Sequence, residues 1–268
     1  MIVKVGDKEF YMDRYLVNNL DYVKKCVLEK TNMCTMIIDG RIGSGKSTLG
    51  AQIAYYCSGG KASLESETFT PEQFTDCLKN VDKGGAAILD EAFALLNRRK
   101  SLSSQNMIML SMMQQARIKQ CFIFIILPSF YDLDKNLVLN IADFLIHCYR
   151  KDFGRRGQYA IYDRQGMIDL WLNCRQTYSY NPKVAKPNFK ARFTGFFPFD
   201  SKGYDKKKMK ALEDMAREDQ EGGNKYLNQR NKLISVLKES GKGVKEIAGI
   251  LGMGERMVYK TLKKPVPP

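Results

Sequence analysis

Gly40-Arg41-Ile42-Gly43-Ser44-Gly45-Lys46-Ser47, which spells G-x-x-x-x-G-K-S, is the stretch that decides the fold. The apolar run before it, Cys34-Thr35-Met36-Ile37-Ile38, reads as a buried strand, and Ser47 to Tyr56 after it is compatible with a helix. A strand that passes through a Gly-rich loop into a helix is the context in which this pattern cradles phosphate. Glycines at 40, 43 and 45 let the loop curl, so that successive backbone N–H groups converge on one anion. The helix that follows adds the positive end of its dipole. The expected nucleotide contacts are therefore Gly40, Gly43, Ser44, Gly45, Lys46, Ser47 and Thr48. In such a loop Lys46 reaches the β- and γ-phosphates, the Ser47 hydroxyl ligates Mg²⁺ and Thr48 lies against the α-phosphate.

Some forty residues on, Gly84-Gly85-Ala86-Ala87-Ile88-Leu89-Asp90-Glu91 reads as a fully buried parallel strand ending in two carboxylates. A phosphate-binding loop needs an acid at the C-terminal end of a neighbouring strand to hold the water shell of Mg²⁺, and Asp90 fits that place. Glu91 would polarise the attacking water as general base. Together the two motifs imply hydrolysis of ATP with Mg²⁺ as cofactor, and an α/β fold whose mainly parallel central sheet is flanked by helices.

Composition sets the bounds. A chain of 268 residues holds one full α/β domain and something small. No apolar run reaches the length of a membrane span, and the first residues lack the apolar core of a signal peptide, so the expected location is cytoplasmic. The seven cysteines show no C-x-x-C spacing and read as buried thiols. The single histidine, His147, falls within a strand-like run and reads as a core residue, not part of a metal cluster. The net charge of +14 points to a polyanionic partner, most simply nucleic acid. From Lys202 onward, 16 basic residues stand against 9 acidic ones.

Along the chain, Ile2–Val5 and Glu9–Met12 suggest a short hairpin, and a helix is expected around Leu20 to Glu29. Thr70 with Pro71 and Gln73 spells a helix start with a capping box. Ser101 to Gln120 reads as one long Met-rich helix, Cys121 to Leu127 as a buried strand stopped by Pro128, Asp132 to Ile141 as a helix and Asp143 to Tyr149 as a strand. Gln158–Asp163 and Met167–Asn173 read as an antiparallel hairpin around Arg164-Gln165-Gly166, and residues 178 to 203 as an irregular strap. These divisions give an ATPase domain over residues 1–203 with its core at about 30–175, a charged helix and linker over 204–223, with Gly222-Gly223-Asn224 as the linker candidate at the boundary, and a final domain over 224–268.

That final domain has the pattern of a helix-turn-helix. Ala248 is small where two helices would cross, Gly252 takes the turn, and Ile247, Leu251, Met253, Val258 and Leu262 supply a core. The second helix would offer Arg256, Tyr259, Lys260 and Lys263, beside Glu255, to a DNA groove.

Gly40–Ser47, Ile88-Leu89-Asp90-Glu91, the helix ending Gln114-Gln115-Ala116-Arg117 and the strand running into Pro128-Ser129 together resemble the FtsK–HerA group of DNA-pumping ATPases. Viral packaging ATPases and phage zonula-occludens-toxin-like proteins lie in the neighbourhood of that group. The resemblance covers roughly residues 30–150. It departs where the group commonly has a sensor glutamine, since Leu127-Pro128-Ser129 stands there. The resemblance implies a homo-oligomer, with a hexameric ring among the options, in which an arginine of one subunit touches the γ-phosphate of the next. Arg117 is the first candidate, followed by Arg150 and the Arg155-Arg156 pair.

The expected activity is Mg²⁺-dependent ATP hydrolysis coupled to DNA binding or movement, as in a translocation or packaging motor, and a compact Lys-rich chain of this kind would suit a virus or mobile element. Two alternatives stay open: an ATP-dependent replication or transposition helper, and a DNA-binding regulator that senses nucleotide. A nucleotide kinase would have to build its lid from Arg155-Arg156 and leaves the terminal domain without a role.

Overall fold

The computed structural model describes residues 1–30, 32–90, 104–152, 154 and 156–262, without the side chains of 104–109 and 215–228. The chain forms two compact units, Met1–Lys208 and Met209–Pro268.

The first unit opens with a hairpin, β1 (Ile2–Val5) and β2 (Lys8–Tyr11). Helix α1 (Arg14–Glu29) is capped by Asp13, whose carboxylate accepts from the N–H groups of Tyr15 and Leu16. Next come β3 (Cys34–Gly40), α2 (Lys46–Cys57), β4 (Glu67–Thr68), α3 (Pro71–Asn80) and β5 (Ala86–Leu89). After the undescribed stretch follow α4 (Ser104–Gln115), β6 (Phe122–Leu127), β7 (Phe144–Tyr149), β8 (Gln158–Tyr162), α5 (Arg164–Cys174) and β9 (Phe189–Arg192).

Seven strands make one sheet in the order β4-β5-β6-β3-β7-β8-β9. Pairing is parallel from β4 to β7 and antiparallel for β8 and β9. Strand periodicity sends Ile37, Ile123, Ile125 and Leu145 to one face, where α3, α4 and α5 cover them with Phe74, Met113 and Trp171. Met36, Ile38, Phe124, Ile126 and Ile146 face the other way, under Leu16 and Leu20 of α1 and Leu49 and Ile53 of α2. Both faces of the sheet are therefore buried, which is why β3 and β6 are apolar without alternation. No helix among the described residues is long and apolar enough to cross a membrane.

Several expectations give way to the structure. Met167–Asn173 is not the second strand of a hairpin but the body of α5. Asp163 caps that helix by accepting from Gly166 N–H at 2.8 Å, and Met167, Leu170, Trp171 and Cys174 bury one helical face. The strap is not wholly irregular, because β9 closes the sheet against β8. The long helix stops at Gln115 and tightens into a 3₁₀ turn, Ala116–Lys119, ended by Gln120 at φ 50°. Of Asp132–Ile141, residues 135–141 are helical and wind into a π-turn at Leu137–Ile141, after a separate 3₁₀ turn at Phe130–Asp132. Thr70 caps α3 as expected, although the Gln73 side chain accepts from Phe69 N–H and not from the cap residue itself.

Helix α6 (Ser201–Glu239) runs through Gly222-Gly223-Asn224, where the sequence places a linker. Two glycines cost a helix only about 1 kcal/mol each, which a helix of 39 residues can absorb. In the second unit, α7 (Val244–Leu251) and α8 (Glu255–Leu262) pack with the end of α6. Ile234, Ile247, Ala248 and Val258 are its buried centre, and Leu237, Leu251, Met253 and Leu262 surround them. The turn between α7 and α8 is closed by Met253 N–H, which donates to the Ala248 carbonyl at 3.0 Å.

Candidate nucleotide site

Parallel pairing puts the C-terminal ends of β3, β5 and β6 on one edge of the sheet, and both motifs open there. At the end of β3, Gly40 has φ +140° and lies beside Cys148 of β7. A Cβ on Gly40 would sit 2.9 Å from the Cys148 carbonyl carbon and closer still to its oxygen, so no other residue fits. Gly45 takes φ +94° at the N-cap of α2 and provides no side-chain cap. The first N–H groups of α2 are thereby left for a ligand. Lys46 Nζ donates to the Arg41 carbonyl across the loop at 3.1 Å. The Ser44 hydroxyl is wholly buried and has no hydrogen-bond partner among the described residues.

A cleft of about 310 Å³ brings the two motifs together, with Gly43, Gly45, Lys46, Ser47 and Thr48 on one side and Asp90 on the other. Leu127 and Pro128 from the end of β6 line its floor, while Ser129 is not part of the lining. Arg156, Tyr204 and Lys208 complete it. One sequence-based expectation needs correction here: β5, which delivers Asp90, is not the neighbour of β3, because β6 pairs between them. Asp90 nevertheless reaches the cleft because it stands one residue past the end of its strand, with its N–H held by the Thr68 carbonyl at 2.9 Å.

The Asp90 carboxylate is 2% exposed and is met by two groups of α6. Tyr204 donates its hydroxyl to Asp90 Oδ2 at 2.5 Å, and Lys208 Nζ stands 3.9 Å from the same oxygen. Tyr204 lines the cleft together with Ser47. Burial, then the Asp90 charge, pushes the Tyr204 phenol far above its ordinary range. Close by on β4, Glu67 is completely buried, and neither of its carboxylate oxygens has a hydrogen-bond partner among the described residues. Burial raises its pKa well above the carboxylate range and Asp90 adds to the effect, while Lys207 and Lys208 oppose it. Lys207 donates to the backbone carbonyls of Leu64 at 2.9 Å and Glu67 at 2.5 Å, which fastens the start of α6 to the edge of the sheet.

The donor set fits a hydrated Mg²⁺ as a phosphate-binding loop would hold it: one hydroxyl, Ser47, and one buried carboxylate, Asp90, already compensated by a hydroxyl proton and an ammonium. Among the described residues no group of three or more His, Cys, Asp or Glu could hold a metal without the phosphates.

His147 is a strand residue, as expected, and it also braces the loop. Its Nδ1 lies 2.9 Å from Asp39 Oδ1, and its ring stacks on Tyr180 at 3.7 Å. Asp39, 1% exposed, also accepts from Phe130 N–H at 3.1 Å and from the Tyr180 hydroxyl. The residue immediately before Gly40 is thus held on three sides.

The arginines separate. Arg150 lies on its own loop and donates to the Ile42 carbonyl. Arg156 lines the cleft of its own chain. Arg117 is exposed in the turn before β6, at the opposite edge of the sheet, about 20 Å away by strand length. The structure therefore does not bring Arg117 to the site in its own chain. Glu91, Arg155 and Lys263 lie outside the described residues. On α8, Arg256, Tyr259 and Lys260 are exposed at i, i+3 and i+4, opposite the buried Val258.

No protein-family model matches the chain, and no curated protein matches it. Among solved structures it is similar to the N-terminal domain of zonular occludens toxin from Neisseria meningitidis, at 18% identity and a TM-score of 0.40 over 65% of this chain and 98% of that one. It is also similar to the genome packaging NTPase B204 from Sulfolobus turreted icosahedral virus 2 in complex with ATP-gammaS, at 14% identity and a TM-score of 0.37 over 51% of this chain and 94% of that one. At such identities the likeness is one of chain path alone.

Proposed function

We propose that the chain is a Mg²⁺-dependent P-loop ATPase that couples hydrolysis to the binding or movement of DNA. The observation that supports it most is the single cleft in which Lys46 and Ser47 of the loop face Asp90 from two strands away. Backbone N–H groups at the start of α2 and the Lys46 ammonium bind and orient the triphosphate. Ser47 and Asp90 hold Mg²⁺, which when bound offsets phosphate charge. Glu91, next to Asp90 in the chain, is the proposed base that orients the attacking water. The exposed basic face of α8, Arg256, Tyr259 and Lys260 with Lys263 beyond it, is the proposed DNA contact of a helix-turn-helix tether. The working form is a homo-oligomer, in which Arg117 serves the cleft of the next subunit.

Steady-state ATP hydrolysis with and without single- and double-stranded DNA, at low and moderate salt, tests this reading. Strong stimulation by one form supports a DNA-coupled motor or loader and names its substrate. Hydrolysis that ignores DNA favours the nucleotide-sensing regulator. Lys46→Ala should abolish turnover and leave DNA binding largely intact; retained turnover would remove the site assignment.

A further inference from the structure

Tyr204 and Lys208 line the cleft but have no place in the hydrolysis scheme. They sit four residues apart on α6 and so project from the same helix face. The Tyr204 hydroxyl donates to Asp90 in the cleft that Ser47 also lines, and these are the two residues proposed to hold Mg²⁺. Lys208 sets a positive charge 3.9 Å from the same Asp90 oxygen. A proton donor and an ammonium thus stand where a hydrated cation would stand, and they satisfy the buried carboxylate in its place. The ring of Tyr204 is held edge-on by Phe69 at 5.6 Å and Phe197 at 5.1 Å, and Lys207 pins the adjacent backbone turn.

We infer that Tyr204 and Lys208 are built-in competitors for the Mg²⁺ position, so that they set the metal dependence of nucleotide binding and the first turns of α6 withdraw when Mg²⁺ and nucleotide enter together. The inference rests on the nucleotide reading of the cleft. Its physical basis is exclusion: a hydroxyl seated on Asp90 in the cleft lined by Ser47 and the inner water shell of a cation held by that carboxylate cannot share one space. Displacement costs a charge-assisted hydrogen bond and an ion pair, so the metal must be bound more tightly once those contacts are gone.

The test uses the full chain with ATPγS, in the absence and in the presence of metal. Hydrogen exchange of the amides of residues 202–208 is measured with ATPγS in EDTA and with ATPγS in MgCl₂. Exchange in this segment should quicken by about tenfold or more on adding Mg²⁺, the scale of one hydrogen bond to a charged group. In Tyr204→Phe, which keeps the ring contacts, half-saturation by Mg²⁺ at fixed ATPγS should fall by about tenfold, and Lys208→Gln should act in the same direction. Unliganded Tyr204→Phe should also melt lower than the parent, because the buried Asp90 loses a donor, and the gap should close with Mg²⁺ and ATPγS. Exchange that slows in 202–208 on adding Mg²⁺, or a half-saturation point that is unchanged or raised in both variants, overturns the inference while leaving the nucleotide site intact. Failure of ATPγS to bind at all, or binding that survives Lys46→Ala undiminished, removes the nucleotide reading and the inference with it.

Discussion

Gly40→Ala should be among the most damaging single-methyl changes available in this chain. The residue has φ +140°, and the added Cβ would fall 2.9 Å from the Cys148 carbonyl carbon, inside the register of β3 with β7. Backbone strain alone costs about 1–2 kcal/mol. Relief of the clash requires β7 to move away from β3, with one or two backbone hydrogen bonds weakened at about 1 kcal/mol each. A total of about 2–4 kcal/mol corresponds to a fall of roughly 10 °C in melting temperature for a unit of this size. Gly59 supplies the control, because it has φ +63° but nothing within 4 Å of its Cβ position. Gly59→Ala should therefore cost only about 1 kcal/mol, or about 3 °C. Thermal melts followed by circular dichroism compare the two directly, and ATPγS titration reports on the loop. If both variants melt within about 2 °C of each other, the close approach of Cys148 is not what fixes residue 40.

Three further outcomes are expected. The hydrogen bonds from Asn188 and from Gly166 N–H hold the Asp163 carboxyl below its usual pKa, so its contribution to stability is present above the unfolded value of about 4 and is lost as pH falls through the lower, folded value. Urea midpoints measured between about pH 5 and 2 should fall less for Asp163→Asn than for the parent, by under about 1 kcal/mol because the group is exposed. In α8, Arg256→Ala with Lys260→Ala should reduce the slope of log affinity for DNA against log salt by about 2, near 0.9 per phosphate contact; an unchanged slope would take these residues out of the interface. Arg117→Ala should leave ATPγS affinity unchanged, since the residue lies at the far edge of the sheet, yet slow turnover of the assembled form by more than about tenfold. Turnover within that limit would dismiss the trans arginine.

How much of this was legible in the sequence depended on whether the physics was local. The loop declares itself within eight residues, because a tight anion-binding turn needs glycines, a lysine and a hydroxyl at fixed spacing. The strand to Asp90 is legible for the same reason, although its separation from β3 by β6 is not, since sheet order has no local signature. Helix α5 is ambiguous in the sequence despite a helical period at Met167, Leu170, Trp171 and Cys174, because its short length and β-prone residues weigh equally with that period. At Gly222-Gly223 the local preference against helix was real but small, and the cooperativity of α6 overrides it. Tyr204 and Lys208 mark the limit most clearly. Their i, i+4 spacing could be read, but the target lies 114 residues before Tyr204 in the chain. A buried Asp90 does, however, require positive charge or donors around it when no cation is present. Once the sequence has placed an acid at the end of a buried strand, it has therefore also posed the question of what neutralises it, and a lysine one helical turn from a tyrosine is the kind of answer to look for.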